Sequence, residues 1–270
     1  TNPIPVVDAA IGDQSAVDNE TVSIASSISD PDGDVLSYTA TGLPTGLSID
    51  PSTGVISGTI DNSASQTNGG VYPIVVSATD ADGDAITDSF ALSVTNPAPT
   101  AADDALSGDE NTALTSNVIT ASDSDPDGDV LSVSEVNGDV ANVGAAIAGS
   151  SGGLFTIDAN GDISFDPNGE YEGLDVGESA TSTVSYQISD GEGGFDTAIV
   201  TATIQGANDV PVVTGTLTGQ SGTDSAALLP FDASTVFSDV DGETLAYTAT
   251  DLPSWMSINP ATGVITGTPP

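Results

Sequence analysis

Asp30-Pro31-Asp32-Gly33-Asp34 is the stretch on which this sequence turns. The same five letters return as Asp125-Pro126-Asp127-Gly128-Asp129. A third copy, altered at two positions, is Asp239-Val240-Asp241-Gly242-Glu243. Each copy leads into an alternating segment: Val35-Leu36-Ser37-Tyr38, Val130-Leu131-Ser132-Val133 and Thr244-Leu245-Ala246-Tyr247. Alternation with period two marks a half-buried strand. Glycine permits a tight turn and aspartate tolerates one, but no turn requires three carboxylates in five residues. Two accounts fit. The aspartates are solvated in Asx-type turns, or they hold a hard cation; Ca²⁺, which takes roughly six to eight oxygens, is the natural candidate.

Composition narrows the field. The 270 residues carry Lys+Arg 0, His 0 and Asp+Glu 40, a formal net charge of −40. Nucleic acid is excluded as a partner, because no cation is there to meet a phosphate. Attraction to an anionic membrane surface fails for the same reason. Self-repulsion of this size favours expansion or disorder. Hydrophobic content of 37% in regular β patterning argues for a fold whose charge is met by counter-ions. With Cys 0 there is neither disulfide nor cysteine-based zinc site. No run of apolar residues is long enough to span a membrane, so no insertion is expected. No basic region precedes an apolar one as in a signal peptide. The opening Thr1-Asn2-Pro3 and closing Pro269-Pro270 fall mid-pattern, so we expect a piece of something longer.

An internal repeat sets the domain count. The stretch from Leu36 to Thr59 reappears nearly letter for letter from Leu245 to Thr268, at one constant offset. A different domain lies between. We therefore expect domains at 1–96, 97–206 and 207–270, the last incomplete. Domain one reads as strands at 4–11, 21–29, 35–41, 47–49, 55–60, 71–79 and 85–95, with a Gly or Pro turn at most breaks. Its expected core includes Ile24, Leu36, Tyr38, Ile56, Val75, Phe90 and Leu92. Domain two reads as strands at 104–107, 112–121, 130–136, 140–143, 153–157, 163–165, 180–189 and 195–204. Asn160-Gly161 signals a hairpin there. Domain three lacks counterparts of 71–95, so an open sheet edge is expected, covered from the same chain or by another molecule. No stretch shows helical periodicity. The fold class is all-β: tandem Greek-key β-sandwiches in an elongated array.

Strand direction then groups the carboxylates. If successive strands alternate in direction, the acidic turn, the linker and the end of the penultimate strand share the end where the chain enters a domain. Asp80-Ala81-Asp82-Gly83-Asp84 and Asp190-Gly191-Glu192 sit there. The turn after the first strand, Asp18-Asn19-Glu20 or Asp109-Glu110-Asn111, faces the next domain. Acids from two domains thus converge at each junction. Asp158, Asp162 and Asp166 flank the domain-two hairpin, either as exposed turn residues or as holders of a further ion.

This arrangement resembles cadherin repeats, which hold Ca²⁺ between tandem sandwiches. By that resemblance Glu20, Asn96, Asp125, Asp127 and Asp190 serve the first junction. Glu110, Asn208, Asp209, Asp239 and Asp241 serve the second, and Asp30, Asp32, Asp80 and Asn2 an upstream one. Domains one and three resemble the dystroglycan-type cadherin-like Ig family through Gly42-Leu43-Pro44, Gly46-Leu47-Ser48-Ile49-Asp50 and Thr53-Gly54-Val55-Ile56-Ser57-Gly58-Thr59. Domain two resembles cadherin-like repeats of bacterial RTX adhesins through Ala102-Asp103-Asp104, Asp109-Glu110-Asn111-Thr112, Phe165-Asp166-Pro167 and Ser189-Asp190-Gly191. The Asp-Arg-Glu ligand motif of animal cadherins is absent, which implies fewer ions per junction.

The implied function is a calcium-stiffened extender in a secreted bacterial surface adhesin or fibre. It would spacе a distal binding domain from the cell and support adhesion, including in biofilms. Its partners are neighbouring repeats and, where fibres form, copies of itself. The rival is a Ca²⁺-dependent carbohydrate-binding module, which needs an exposed aromatic platform; Tyr171 and then Trp255 are the candidates. No enzyme is expected. Without His, Cys, Lys or Arg the usual nucleophile–base pairs cannot be assembled, and the close carboxylate pairs sit in repeated turns rather than a cleft.

Overall fold

The computed structural model describes residues 3–270; Asn2, expected at an upstream junction, lies outside the described residues. Unit one contains β1 (Val6–Ala9), β2 (Gln14–Val17), β3 (Thr21–Ala25), β4 (Ser27–Ser29), β5 (Ser37–Thr41), β6 (Leu47–Ile49), β7 (Val55–Thr59), β8 (Val71–Thr79) and β9 (Ala85–Thr95). Unit two contains β10 (Asp104–Asp109), β11 (Leu114–Asn117), β12 (Ser132–Val136), β13 (Ile147–Ala148), β14 (Leu154–Ile157), β15 (Asp162–Asp166), β16 (Ser179–Ser189) and β17 (Phe195–Gln205). Unit three has only short strands: β18 (Val212–Val213), β19 (Phe231–Asp232), β20 (Phe237–Ser238), β21 (Met256–Ile258) and β22 (Val264–Gly267).

Units one and two are β-sandwiches with one plan. In unit one a sheet in the order β2-β9-β8-β5 faces one in the order β3-β7-β6, and β1 pairs with β4. Unit two repeats this as β10-β17-β16-β12 over β11-β15-β14-β13. The long hairpins drive the packing because their alternation is clean. Tyr72, Ile74, Val76 and Ala78 of β8 point inward, as do Phe90, Leu92 and Val94 of β9. In unit two Val184, Tyr186 and Ile188 meet Phe155 and Phe165, whose rings lie 4.6 Å apart. Each fully buried side chain of this size contributes about 1.5–3 kcal/mol. The two cores are separate clusters.

Several elements differ from the sequence expectation, each for a local reason. The run 21–29 breaks at Ser26, so β3 and β4 join different sheets. An unforeseen β2 follows β1 and runs parallel to β9, as β10 does to β17; direction therefore does not alternate throughout. The expected strand 112–121 stops at Asn117, whose Oδ1 accepts the Thr120 N–H at 2.8 Å and starts a one-turn helix, Val118–Ser122. In place of the expected strand 140–143 stands a 3₁₀ turn, Val140–Asn142, capped by Asp139. Val75 lies outside the core: with Ile74 and Val76 both at 0% exposure, period two sends it outward. Unit three keeps the loop chemistry of unit one. Gly54 and Gly263 both have positive φ, and a methyl group on Gly54 would meet the Tyr38 ring at 2.7 Å. Its residues 245–250, the counterpart of β5, belong to no strand.

Candidate metal centres at the junctions

Each acidic turn is built around its first aspartate. Asp30 Oδ1 accepts the N–H groups of Asp32, Gly33 and Asp34 at 3.0, 3.1 and 3.2 Å. Asp125 Oδ1 does the same for Asp127, Gly128 and Asp129 at 3.0, 3.0 and 3.1 Å. Asp80 Oδ1 takes those of Asp82, Gly83 and Asp84. In the third copy Asp239 Oδ1 accepts the Asp241 N–H at 3.1 Å. The Asx turn thus exists, and it uses one oxygen of the carboxylate. The second oxygen, Oδ2 of Asp30, Asp125 and Asp239, is buried and has no hydrogen-bond partner among the described residues. Solvated turn residues would not hide that oxygen.

At the first junction three sets of groups meet. Unit one supplies Asp18, 2% exposed, whose Oδ1 accepts the Ser65 N–H at 2.9 Å. The linker supplies Asn96, whose Nδ2 donates to Asp190 Oδ2 at 2.7 Å. Unit two supplies Asp125, Asp127, Asp129, Asp190 and Glu192. Carboxylate oxygens of Asp125, Asp129 and Asp190 lie within 4.8 Å of one another. Pairing of Ser132 with Ser189 places Asp190 beside the acidic turn. Among the described residues seven buried oxygens here lack a partner: Asp18 Oδ2, Asn96 Oδ1, Asp125 Oδ2, both of Asp127, Asp129 Oδ2 and Glu192 Oε2. The electrostatics follow. Burial, then Asp125 and Asp129 beside it, pushes Asp127 up to about 7. Burial first, then Asp125, Asp190 and Asp18, raises Asp129. Burial works against Asp125 too, yet Asp127 and the three backbone donors hold it below its ordinary value.

The second junction is thinner. Glu110, 1% exposed, accepts the Ala207 N–H on Oε1 at 2.7 Å. Asp241 Oδ2 accepts the Asp209 N–H at 2.8 Å. Among the described residues four buried oxygens here lack partners: Glu110 Oε2, Asp209 Oδ2, Asp239 Oδ2 and Asp241 Oδ1. Asn208 is exposed and its amide donates to Asp209 O, so it does not play the part of Asn96. Glu172 also faces this junction: burial, then Asp209, Glu110 and Asp241, raises it. At the upstream end Asp30, Asp32 and Asp34 bring oxygens within 4.8 Å, and Asp30 beside it pushes exposed Asp32 up to about 6.

The geometry therefore brings together most of the acids singled out in the sequence, with one displacement. Glu20 is exposed, and its Oε2 accepts the Val17 N–H at 2.9 Å, closing its own turn. Asp18 stands in its place. Its N–H donates to Thr95 O as the Glu110 N–H donates to Gln205 O, so Asp18 and Glu110 are structural equivalents. The residue set implied by the cadherin resemblance also left out Asp129, Glu172 and Glu192, although strand direction had already placed Glu192 at this end. The third acid of the repeated turn signalled Asp129; nothing signalled Glu172, which lies in an irregular loop. Tyr171 is no aromatic platform: it is 6% exposed, its hydroxyl donates to Ser151 O, and its ring packs 6.3 Å from Phe165. Trp255 is half-buried. Asp158 is half-buried, and its Oδ1 accepts the N–H groups of Asn160 and Asp162.

Buried anionic oxygen without a partner costs several kcal/mol per group. A hard divalent cation removes that cost, and Ca²⁺ suits an all-oxygen set of this size. The residues fit that ion.

Residues 96–206 match the family described as "Bacterial cadherin-like domain", and residues 4–95 and 210–270 match the one described as "Putative Ig domain". No curated protein matches the chain. Among solved structures, mouse cadherin-23 EC22-24 is similar at TM-score 0.42 and 18% identity, over 100% of this chain and 89% of that one. Drosophila N-cadherin EC1-4 gives 0.35 and 16%, over 77% of this chain and 50% of that one. The human desmocollin-1 ectodomain gives 0.35 and 16%, over 98% and 54%. The chain thus spans about half the length of the latter two.

Proposed function

Since the chain belongs to the bacterial cadherin-like and Ig-domain families, and so is an adhesion-type extracellular module, we propose that it is a spacer stiffened by Ca²⁺ at its junctions. The observation that carries this is the set of seven buried, unpartnered oxygens shared by unit one, the linker and unit two. Asp18, Asn96, Asp125, Asp127, Asp129, Asp190 and Glu192 would hold the ion at the first junction. Glu110, Glu172, Asp209, Asp239 and Asp241 would hold it at the second. Bound Ca²⁺ supplies the positive charge that a chain with Lys+Arg 0 cannot.

The residues do the rest. Asp125 and Asp190 each spend one oxygen on their own turns, which fixes the carboxylates before any ion arrives. Asp18 and Asn96 tie unit one and the linker to that preformed cup. Without the ion, net charge −40 and crowded carboxylates push the units apart. Affinities of about 10⁻⁴–10⁻³ M, usual for extracellular modules, would leave the junctions filled outside a cell and empty within it. This suits a segment of a large bacterial surface adhesin that holds a distal binding domain away from the cell. It is a mechanical role and not a catalytic one.

Small-angle scattering with about 10 mM Ca²⁺ (about ten times the weaker expected Kd) and with chelator tests the proposal. The expected result is a larger maximum dimension with the ion. An unchanged dimension, with no calorimetric heat of binding, overturns it.

A further inference from the structure

Units one and two match different family models, yet both carry the same clasp of two aspartates. In unit one the chain leaves β1, paired with β4, and crosses to the other sheet as β2. In unit two it leaves a bridge between Thr100 and Ser124 and crosses as β10. At each crossing carboxylates take backbone N–H groups that the ladders leave over. Asp13 Oδ1 accepts the Ala91 N–H at 2.8 Å, and Asp88 Oδ2 accepts the Ile11 N–H at 2.7 Å. Asp103 Oδ1 accepts the Ile199 N–H, and Asp196 Oδ2 the Ala101 N–H, both at 2.8 Å. The other oxygen of Asp88 and of Asp196 accepts the N–H of the next residue, Ser89 or Thr197. The entering segment thus grips the last strand, and the last strand grips it back. Asp13 and Asp103 are exposed, so water could have served their donors. In a chain of net charge −40 a further carboxylate adds repulsion. What it gives in return is a charge-assisted bond, roughly twice as strong as a neutral one.

The place of the clasp matters as much as its strength. β2 pairs with β9 in parallel from Gln14–Leu92 to Val17–Thr95, and β10 with β17 from Asp104–Val200 to Asp109–Gln205. Tension along the chain draws β2 backward by its start and β9 forward by its end. Parallel strands pulled in this way slide past one another, and their bonds are strained together rather than one after another. Ala91 and Ile199 each lie one residue before the first pair of the ladder. The clasp therefore stands where tension on the entering chain arrives.

We propose that the pairs Asp13–Asp88 and Asp103–Asp196 are mechanical latches, which hold the first segment of each unit to its last strand when the chain is stretched end to end. The latch takes from the spacer reading only that tension runs along the chain, and it needs no cation. Constant-force unfolding of the chain 1–270 in chelator, held by its two ends, tests it. Asp13→Ala with Asp88→Ala should shorten the lifetime of unit one under load about tenfold and leave unit two unchanged. Asp103→Ala with Asp196→Ala should do the reverse. Released length tells the units apart, since 103–205 is a longer span than 13–95, and a full-length step shows that the variant unit had folded. Asn at the same positions keeps an acceptor oxygen and should restore most of the lifetime. β10 is six residues long and β2 four, so unit two should outlast unit one in the parent. A handle at Ala81→Cys, unique in a chain with Cys 0, pulled against the N-terminus draws β2 and β9 apart from the end where both begin. The ladder then opens pair by pair, and the unit-one variant should barely differ from the parent. Equal lifetimes of parent and variants under end-to-end load overturn the latch. So does the same loss in both pulling geometries, since the clasp then adds stability without direction. A scattering dimension indifferent to Ca²⁺ would sink the spacer reading and leave each of these outcomes as decisive as before.

Discussion

The two junctions of this chain are built from the same parts and are not equal. Both take a buried acid from the preceding unit, Asp18 or Glu110, and an Asx turn from the following one, Asp125 or Asp239. The first leaves seven buried oxygens unpartnered, the second four. Glu192, from the turn between β16 and β17, supplies one of the seven, while both oxygens of neighbouring Asp190 accept hydrogen bonds. The hairpin of unit two brings Asp190 to its acidic turn; among the described residues no group of three acids gathers in that way at Asp239. Packing and charge meet in unit two, because the hairpin that buries the core also sets Asp190 beside the acidic turn.

The largest effect is expected from Asp127→Asn. Asp127 is 5% exposed and both its oxygens lack a partner. Its loss should weaken Ca²⁺ at the first junction on the order of 100-fold and leave the second untouched. In chelator the same variant should melt higher than the parent, because a desolvated charge has been removed. Calorimetric titration and thermal melting read the two halves separately. Equal weakening at both junctions would break the contrast. Glu110→Gln comes next. Glutamine keeps the Oε1 that accepts the Ala207 N–H and loses only charge, so about tenfold weaker binding is expected, at the second junction alone.

How much of this was legible beforehand depends on range. Turns were, because Asp-Pro-Asp-Gly-Asp and Asn160-Gly161 carry their geometry in a few adjacent residues. The long hairpins were too, since period two over a dozen residues is hard to mistake. Val75 shows where that logic slips: in Ile74-Val75-Val76 all three letters are apolar, and only the register against β9 decides that Val75 faces out. The split at Ser26 and the parallel pairing of β2 with β9 depend on contacts far along the chain, which no local pattern records. The same holds for the sites. The repeated turn disclosed Asp125 and Asp127. Asp18 was hidden by a neighbour of the same charge two residues away, and Glu172 by a loop with no period at all.

A pH titration in chelator gives the next effect. Asp127 has an ordinary value of 3.8 and is pushed up to about 7 in the fold. The folded chain therefore holds this proton more tightly than the unfolded one. The stability so gained is full below about pH 4 and is lost as pH rises through about 7. Asp32, raised to about 6 in the upstream turn, works in the same direction. The melting temperature in chelator should fall from pH 4 to pH 7, and 10 mM Ca²⁺ (about ten times the weaker expected Kd) should flatten the fall. A rise across that window would show that the buried pair is not what limits the metal-free fold.

The smallest effect is also the most discriminating. Glu20 and Asp18 are two residues apart, both acidic, both in the turn that faces unit two. The cadherin likeness pointed to Glu20; burial points to Asp18. Glu20→Gln removes the charge of an exposed side chain that closes its turn through the Val17 N–H. That hydrogen bond is worth about 0.5–1.5 kcal/mol, and glutamine keeps an oxygen to accept it. Stability should therefore barely change, and calcium binding at the first junction not at all. Asp18→Asn keeps the bond from the Ser65 N–H and strips charge from an oxygen buried against unit two. It should weaken calcium there about tenfold. Were the two variants to trade places, with Glu20→Gln weakening the ion and Asp18→Asn silent, the turn would have to rotate by two residues on binding. The comparison of junctions would then have to be redrawn from the ion-bound form.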